Sequence, residues 1–206
     1  MEWRDRDYGV AFDFPVTILE RTLNLTDNRD KYLMRHLLSH LLFLLGCYCA
    51  FLLVDHLYKN KLLATVGFLL MLLHPRLYAH SFFNPKDIPF MSMFIISLYF
   101  GVRALDKKTV LSFVKFGICV GLLINLRIMG LLLPACILPL LVVDTLRAPN
   151  KWKYLKAASA FPIASFLTLY ITWPFLWADP FQKIAFVFKN MAQFRWHLSV
   201  LFKGEV

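Results

Sequence analysis

Polar side chains that could act on a phosphate group are concentrated in residues 74–87, between two long apolar runs. They are Arg76, His80, Asn84, Lys86 and Asp87. Charge at the edge of an apolar run is costly, so its presence there indicates a function. Cations can neutralise the charge that develops on a departing phosphate, and a carboxylate can take a proton from an attacking hydroxyl. These residue types therefore suit a transfer reaction whose leaving group is a phosphate on a lipid.

Two further polar groups could complete such a site. Asp5, Asp7 and Asp13 form an acidic cluster near the N-terminus, and Arg127 stands alone between two apolar runs. An unpaired arginine near hydrocarbon is expensive, so Arg127 is the hardest of these residues to explain without a function. Asp5 and Asp7 alternate with basic residues, and an ordinary solvated segment explains them equally well.

The expected division of roles follows from charge. We expect the donor phosphate to be held by three cations, Arg76, Lys86 and Arg127. Asn84 and Asp87 would shape the pocket or bind a metal ion, although for Asp87 we expect helix capping ahead of direct catalysis.

Two of these residues have simpler explanations than a role in the reaction. Arg76 could reach the membrane interface from a helix end. His80 could bind a metal, but a lone histidine is more often a hydrogen-bonded structural residue. We therefore assign no metal ligand, and the cofactor stays open, a divalent metal being one option.

The apolar residues form long blocks that predict membrane spans. They make up 59% of the chain, with a mean hydropathy of +0.58. The blocks run for about 17–22 residues, enough to cross a hydrocarbon core of about 30 Å. Continuous runs favour helices over a β-barrel. We predict an all-α, polytopic transmembrane helical bundle of about six spans, at residues 37–57, 62–79, 88–104, 110–126, 128–143 and 157–177. Gly130 and Pro134 favour a break between the fourth and fifth spans.

Basic residues are distributed unevenly between the loops. Every second loop is basic: these loops contain Lys59 and Lys61, then Arg103, Lys107 and Lys108, then Arg147, Lys151, Lys153 and Lys156. Cytoplasmic loops carry such an excess. We therefore expect a multi-pass protein of the bacterial inner membrane, with the 84–87 loop, Arg127 and both chain ends on the extracytoplasmic, active face. The basic residues of the first 35 positions favour the opposite orientation.

Three regions follow from this pattern. Residues 1–36 would form an outer or lumenal loop with a juxtamembrane helix, and residues 37–177 the transmembrane bundle. Residues 178–206 would form an outer amphipathic segment that is truncated. Apolar residues recur at near-helical spacing in residues 10–25 and 181–201, which indicates two helices lying on the membrane surface.

The net charge of +10 points to a membrane partner and away from nucleic acid. The basic residues flank the membrane spans and form no single stripe with interleaved aromatics, so we expect anionic membrane lipids or a phosphorylated substrate as partners. The four cysteines lie in apolar spans without zinc-site spacing, and we interpret them as core residues.

Several short motifs in a fixed order resemble a known superfamily. They are Asp5-Arg6-Asp7-Tyr8-Gly9, Tyr32-Leu33-Met34-Arg35-His36, Pro75-Arg76, Phe83-Asn84-Pro85-Lys86-Asp87, Arg127-Ile128-Met129-Gly130 and Trp173-Pro174-Phe175-Leu176-Trp177. This order is similar to that of GT-C membrane glycosyltransferases, in particular the bacterial branch related to protein O-mannosyltransferases and the aminoarabinose transferase of lipid A. The resemblance implies a polyprenyl-phosphate-linked sugar donor and a catalytic aspartate in the first outer loop, here Asp5 or Asp7. It also implies helices before and after this chain, which we expect to be partial.

The sequence therefore predicts a membrane glycosyltransferase-like protein. It would transfer a sugar from a polyprenyl-phosphate donor to a lipid, glycan or protein acceptor on the extracytoplasmic side. Two alternatives remain open: a transporter or channel subunit for an anionic substrate, and an inactive GT-C fragment. A transporter would place polar residues near the bilayer midplane. Here the ionisable residues gather at the predicted helix ends, apart from Lys115, which could reach the inner end of its span, and this favours the enzyme.

Overall fold

The computed structural model describes residues 9–193, and this part of the chain is helical without strands. Its α-helices are α1 (Asp13–Thr22), α2 (Asn28–Tyr58), α3 (Lys61–Leu72), α4 (Pro75–Phe83), α5 (Asp87–Lys107), α6 (Val110–Leu126), α7 (Leu132–Arg147), α8 (Lys151–Ala158), α9 (Ala160–Thr172) and α10 (Pro180–Ala192). Short 3₁₀ helices at Ile128–Leu131 and Pro174–Leu176 precede α7 and α10. The predicted all-α class is confirmed.

Polar caps in the short turns define where the helices begin. Asp27 accepts a hydrogen bond from the amide of Arg29 at the start of α2, and Asn60 accepts one from Leu63 at the start of α3. Thr109 and Ser112 form a reciprocal capping box at the start of α6. Such caps satisfy amides that have no partner within the helix, so α2, α3 and α6 each begin at a defined residue.

Four segments are long and apolar enough to cross a membrane: α2, α5, residues 128–147 and residues 151–172. The bent pair of α3 and α4 counts as a fifth if it forms one span. The remaining apolar helix, α6, has 17 residues and a length of about 25 Å. The protein is therefore an integral, multi-pass membrane protein, and the prediction of about six spans agrees broadly with the structure.

The span predicted at residues 62–79 is not one straight helix. It breaks between α3 and α4 with a bend of 59°. Pro75 is the first residue of α4, and the His74 side chain accepts from the amide of Leu77. The residue before a proline avoids helical geometry, which explains the break. The predicted break between the fourth and fifth spans is confirmed, because α6 ends at Leu126 and Arg127 is extended.

Small residues allow the helices to approach closely. In the centre of the bundle, α6 lies between α5 and α9. A Cβ atom at Gly117 would lie 2.5 Å from the carbonyl oxygen of Phe161, and one at Gly121 would lie 2.6 Å from that of Ser165. Lipid tails are as apolar as leucine, so close packing rather than hydrophobic burial holds such helices together. These two glycines therefore determine the α6–α9 contact.

The turns place the loops at two ends of the bundle. The first, which we term the site end, contains the α4–α5 turn, the break at Arg127, the C-terminus of α9 and the start of the described chain. The second, the basic end, contains the α2–α3, α5–α6 and α7–α8 turns, which carry the lysine-rich loops. Because consecutive spans alternate in direction, Asn84, Lys86, Asp87 and Arg127 fall at the site end.

Two amphipathic helices occur at the site end where they were expected. The first helix, α1, is bound to α2 by Arg35, which pairs with Glu20 at 2.6 Å and with Asp13 at 3.1 Å. The second, α10, buries Val187 and places the Lys183 ammonium over the Phe175 ring. The remainder of the predicted 181–201 helix lies outside the described residues.

Candidate active site

Ends of several helices converge at the site end and bring together residues that are far apart in sequence. Asn84 directly follows α4, Asp87 begins α5, and Arg127 separates α6 from the following 3₁₀ helix. Asn125 lies in the last turn of α6, and Thr172 ends α9. These five residues form the framework of the candidate site.

Asn84 organises the turn between α4 and α5. Its Oδ1 accepts hydrogen bonds from the backbone amides of Lys86, at 3.2 Å, and Asp87, at 2.9 Å. Its Nδ2 donates to Asp87 Oδ2 at 2.9 Å and lies 3.3 Å from Nδ1 of His80. Asn84 therefore satisfies the amides that open α5 and also fixes the Asp87 carboxylate.

Asp87 does not cap α5, so that prediction from the sequence is wrong. It is the first helical residue, and the capping position belongs to Lys86, which makes no side-chain cap. The Asp87 carboxylate instead uses Oδ2 to accept from Asn84 and Oδ1 to form an ion pair with Nη2 of Arg127. A capping Asp87 would accept from the amides two and three residues ahead, but Pro89 has no amide hydrogen and the amide of Phe90 donates to the carbonyl oxygen of Lys86.

The Arg127 guanidinium contacts a carboxylate through one nitrogen and is partly exposed. Its side chain is 30% exposed, and Nη2 contacts Asp87. Nε is buried without a hydrogen-bond partner among residues 9–193. A guanidinium has five N–H donors in a fixed plane and binds phosphate oxygens well. Arg127 is therefore oriented by a carboxylate and retains donors for an anion.

Asn125 is a buried polar residue of the site end that the sequence reasoning missed. It is completely buried, although it stands in a long apolar helix. Its Oδ1 accepts from the amide of Ala11 at 2.9 Å, and its Nδ2 donates to Thr172 Oγ1 at 2.9 Å. A buried amide side chain needs such partners. The signal was present in the sequence as a lone asparagine in an apolar run two positions before Arg127.

Gly9 packs directly on Asn125. A Cβ atom at this position would overlap both the side-chain and the backbone oxygen of Asn125. Only glycine allows this approach. The chain immediately after Asp5 and Asp7 is thus anchored two residues from Arg127. Asp5 and Asp7 themselves lie outside the described residues.

Arg76 and Lys86 are the other two residues predicted to bind the phosphate. Arg76 lies in the first turn of α4, is exposed and forms no hydrogen bond or ion pair with any residue between 9 and 193. Along the axis of α4 it is about 12 Å from Asn84. Lys86 is exposed in the turn between Asn84 and Asp87. Within the described part of the chain, no group of three or more His, Cys, Asp or Glu residues could hold a metal ion.

A comparison with protein families gives this arrangement a context. Residues 21–171 match the model of the family described as dolichyl-phosphate-mannose-protein mannosyltransferase. The chain belongs to that family. Membership in the mannosyltransferase family identifies the protein as a membrane glycosyltransferase in kind and agrees with its helical membrane fold. The match includes Asn84, Asp87, Asn125 and Arg127 and begins after the N-terminal aspartates. No curated protein and no solved structure matches significantly.

Proposed function

We propose that this protein transfers a sugar from a polyprenyl-phosphate donor to an acceptor hydroxyl at the site end, on the extracytoplasmic side of the membrane. The observation that carries the proposal is the Asp87–Arg127 ion pair beside the anchored N-terminal segment. The family supports sugar transfer in general. The donor, the active face and the roles of the residues are our inferences.

Arg127 is the residue we propose to bind the donor phosphate. When the bond between sugar and phosphate breaks, negative charge accumulates on the departing polyprenyl phosphate. A guanidinium that is already oriented needs no reorganisation as this charge develops. Lys86, exposed in the neighbouring turn, would add a second positive charge. Asn84 and Asp87 would act by holding Arg127 and the turn in position, and Arg76 would contribute from a greater distance.

Asp7 or Asp5 would be the general base. Extended chain covers at most about 3.6 Å per residue, so Asp7 can lie no more than about 7 Å from the anchored Gly9. Such a carboxylate would take the proton of the acceptor hydroxyl while that oxygen attacks the sugar carbon. The sugar is then joined to the acceptor oxygen, and the phosphate leaves with the electrons of the broken bond.

An apolar cavity next to Arg127 suits the lipid part of the donor. It has a volume of about 650 Å³ and lies between α6, α7, α8 and α9. Its lining runs from Ile124 and Ile128, beside Arg127, to Leu146 and Leu155 near the basic end. A polyprenyl chain placed there would leave its phosphate at the site end, which supports the proposed donor class.

The distribution of charge argues against an anion transporter. Residues 37–54, 62–75, 88–102, 116–126, 128–143 and 157–178 contain no Asp, Glu, Lys or Arg. A transport pathway would place such groups near the bilayer midplane. The two charged ends are instead separated by apolar helix interiors, so we retain the enzyme as the proposed function.

The proposal is tested by donor turnover in vesicles that contain the full chain, with polyprenyl-phosphate mannose as the probe. We expect Arg127→Gln to lower the rate of polyprenyl-phosphate release by about 100-fold, because it removes the cation proposed to stabilise the negative charge on the leaving phosphate. Arg147→Gln, an arginine at the basic end, is the matched control and should retain the wild-type rate. Equal rates for the two variants would refute the assignment of Arg127.

A further inference from the structure

The basic end contains a second polar pocket that the proposed reaction does not use. It has a volume of about 250 Å³ and lies between α5 and α6. Arg103 and Lys107 line it from α5, and Lys115 lines it from α6. Tyr99 and Phe100 form its deeper, apolar side. Three cations therefore surround one small concave site.

The described residues that line the pocket include no carboxylate, and two carboxylates at the same end of the bundle are already paired. Asp106 contacts Nε2 of His56, and Asp144 forms an ion pair with Lys108 at 3.0 Å. Lys107 and Lys115 form no hydrogen bond or ion pair with other residues in the described part of the chain. The positive charge facing the pocket is therefore not neutralised by this part of the protein.

Arg103 is held in position at the wall of the pocket. Its Nη1 lies 3.2 Å from Nδ1 of His56, whose opposite ring nitrogen contacts Asp106. In the neutral tautomer of His56 whose Nε2 donates to Asp106, Nδ1 is the acceptor for Arg103. This chain of contacts joins α2 to α5 and orients the guanidinium without consuming all of its donors.

The depth of the cations matches that of lipid phosphates. Lys115 is five residues from the start of α6, or about 7 Å along the helix, and Arg103 is about 6 Å from the end of α5. These positions correspond to the headgroup region rather than to bulk water. Tyr99 and Phe100 lie about one turn deeper, where glycerol and the first acyl carbons of a phospholipid would be.

We propose that this pocket binds the phosphate of an anionic phospholipid of the cytoplasmic leaflet. Basic pockets between transmembrane helices on that side are suited to such headgroups. The aromatic side chains of Tyr99 and Phe100 favour a lipid over free phosphate, because a free phosphate ion has no apolar part to contact them. The site lies at the opposite end of the bundle from Arg127, so it holds or fails independently of the proposed transferase function.

The test is binding of phosphatidylglycerol to the purified full chain in detergent, measured by native mass spectrometry. The variant combines Arg103→Gln, Lys107→Gln and Lys115→Gln, and we expect it to bind about tenfold more weakly. The control combines Lys151→Gln, Lys153→Gln and Lys156→Gln on α8, which removes the same charge from the same end. It should remain within about twofold of the wild type. Equal weakening of both variants, or of neither, would overturn the proposal.

Two further measurements distinguish a lipid site from a free-phosphate site and from an effect of misfolding. Inorganic phosphate at millimolar concentration should not displace the lipid, and complete displacement would mean that the pocket is a free-phosphate site. Lys115→Gln alone changes one exposed side chain, so it should fold normally and still weaken lipid binding severalfold. Wild-type affinity in this well-folded variant would count against the site even if the triple variant were unstable.

Discussion

Asp87 holds Arg127 at the point where α6 breaks: one carboxylate oxygen pairs with the guanidinium, and the other accepts from Asn84. This relationship connects the turn before α5 to the turn after α6. It joins two loops that are distant in sequence at one site.

Asp87→Asn should impair donor binding more than folding. The pair is partly exposed, with 59% of the Asp87 side chain accessible, so its loss should lower the free energy of unfolding by less than about 1 kcal/mol. Without the carboxylate, Arg127 is no longer oriented, and we expect the KM for the polyprenyl-phosphate donor to rise about tenfold. Asp144→Asn, which breaks an ion pair at the basic end, should leave KM unchanged. The prediction fails if both variants show the same KM.

Gly9→Ala should separate the N-terminal segment from Asn125. The added methyl group would overlap both oxygens of Asn125, so the segment must move, and a displacement of about 1 Å can cost about 100-fold in rate. Gly67→Ala is the control, because its Cβ would lie 3.9 Å from the nearest atom, on Val54. We expect faster hydrogen exchange at the Ala11 amide in Gly9→Ala only. Unchanged exchange there would contradict the anchoring role of Asn125.

Gly121→Ala should destabilise the bundle. A methyl group at this position meets the carbonyl oxygen of Ser165 at 2.6 Å and Thr168 Cβ at 2.7 Å, which forces α6 and α9 apart. Overpacking of this kind costs about 1–3 kcal/mol. Thermal unfolding in detergent should therefore begin at a lower temperature than for the wild type, whereas Gly67→Ala should not. A melting temperature equal to that of the wild type would show that the α6–α9 contact is looser than described.

The orientation of the bundle can be measured by cysteine labelling. In a chain whose four native cysteines are replaced, Thr26→Cys reports on the site end and Lys151→Cys on the basic end, and both positions are exposed. Since the lysine-rich loops are expected in the cytoplasm, an impermeant thiol reagent should label Thr26→Cys in intact cells. It should label Lys151→Cys only after permeabilisation. The reverse pattern would place the candidate active site in the cytoplasm.

Much of the fold could be predicted from the sequence because the bilayer sets the length of each apolar run. The runs beginning at residues 37, 88 and 110 correspond to α2, α5 and α6. The bend at His74 was missed because apolar residues continue on both sides of it, although Pro75 provided the signal. At such a position the apolar run favours one continuous helix, whereas the proline favours a break. Hydropathy alone does not show which of the two determines the structure.

The candidate site could be predicted only in part. The cost of charge near hydrocarbon identified Asp87 and Arg127 separately, but their pairing depends on how α5 and α6 pack. Asn125 was overlooked because its importance comes from burial and from its bonds to Ala11 and Thr172, which sequence spacing does not reveal. Sequence identified the chemically unusual residues, and tertiary structure determined which of them meet.

We propose that an aspartate of the N-terminal segment is the base for sugar transfer at the site end. This role is tested most directly by measuring sugar transfer from polyprenyl-phosphate mannose by the full chain carrying Asp5→Asn and Asp7→Asn. Asp30→Asn, in the first turn of α2, is the control. We predict that the double variant is expressed normally and loses at least about 100-fold of its rate, while Asp30→Asn keeps the wild-type rate. Full activity of the double variant would contradict the account.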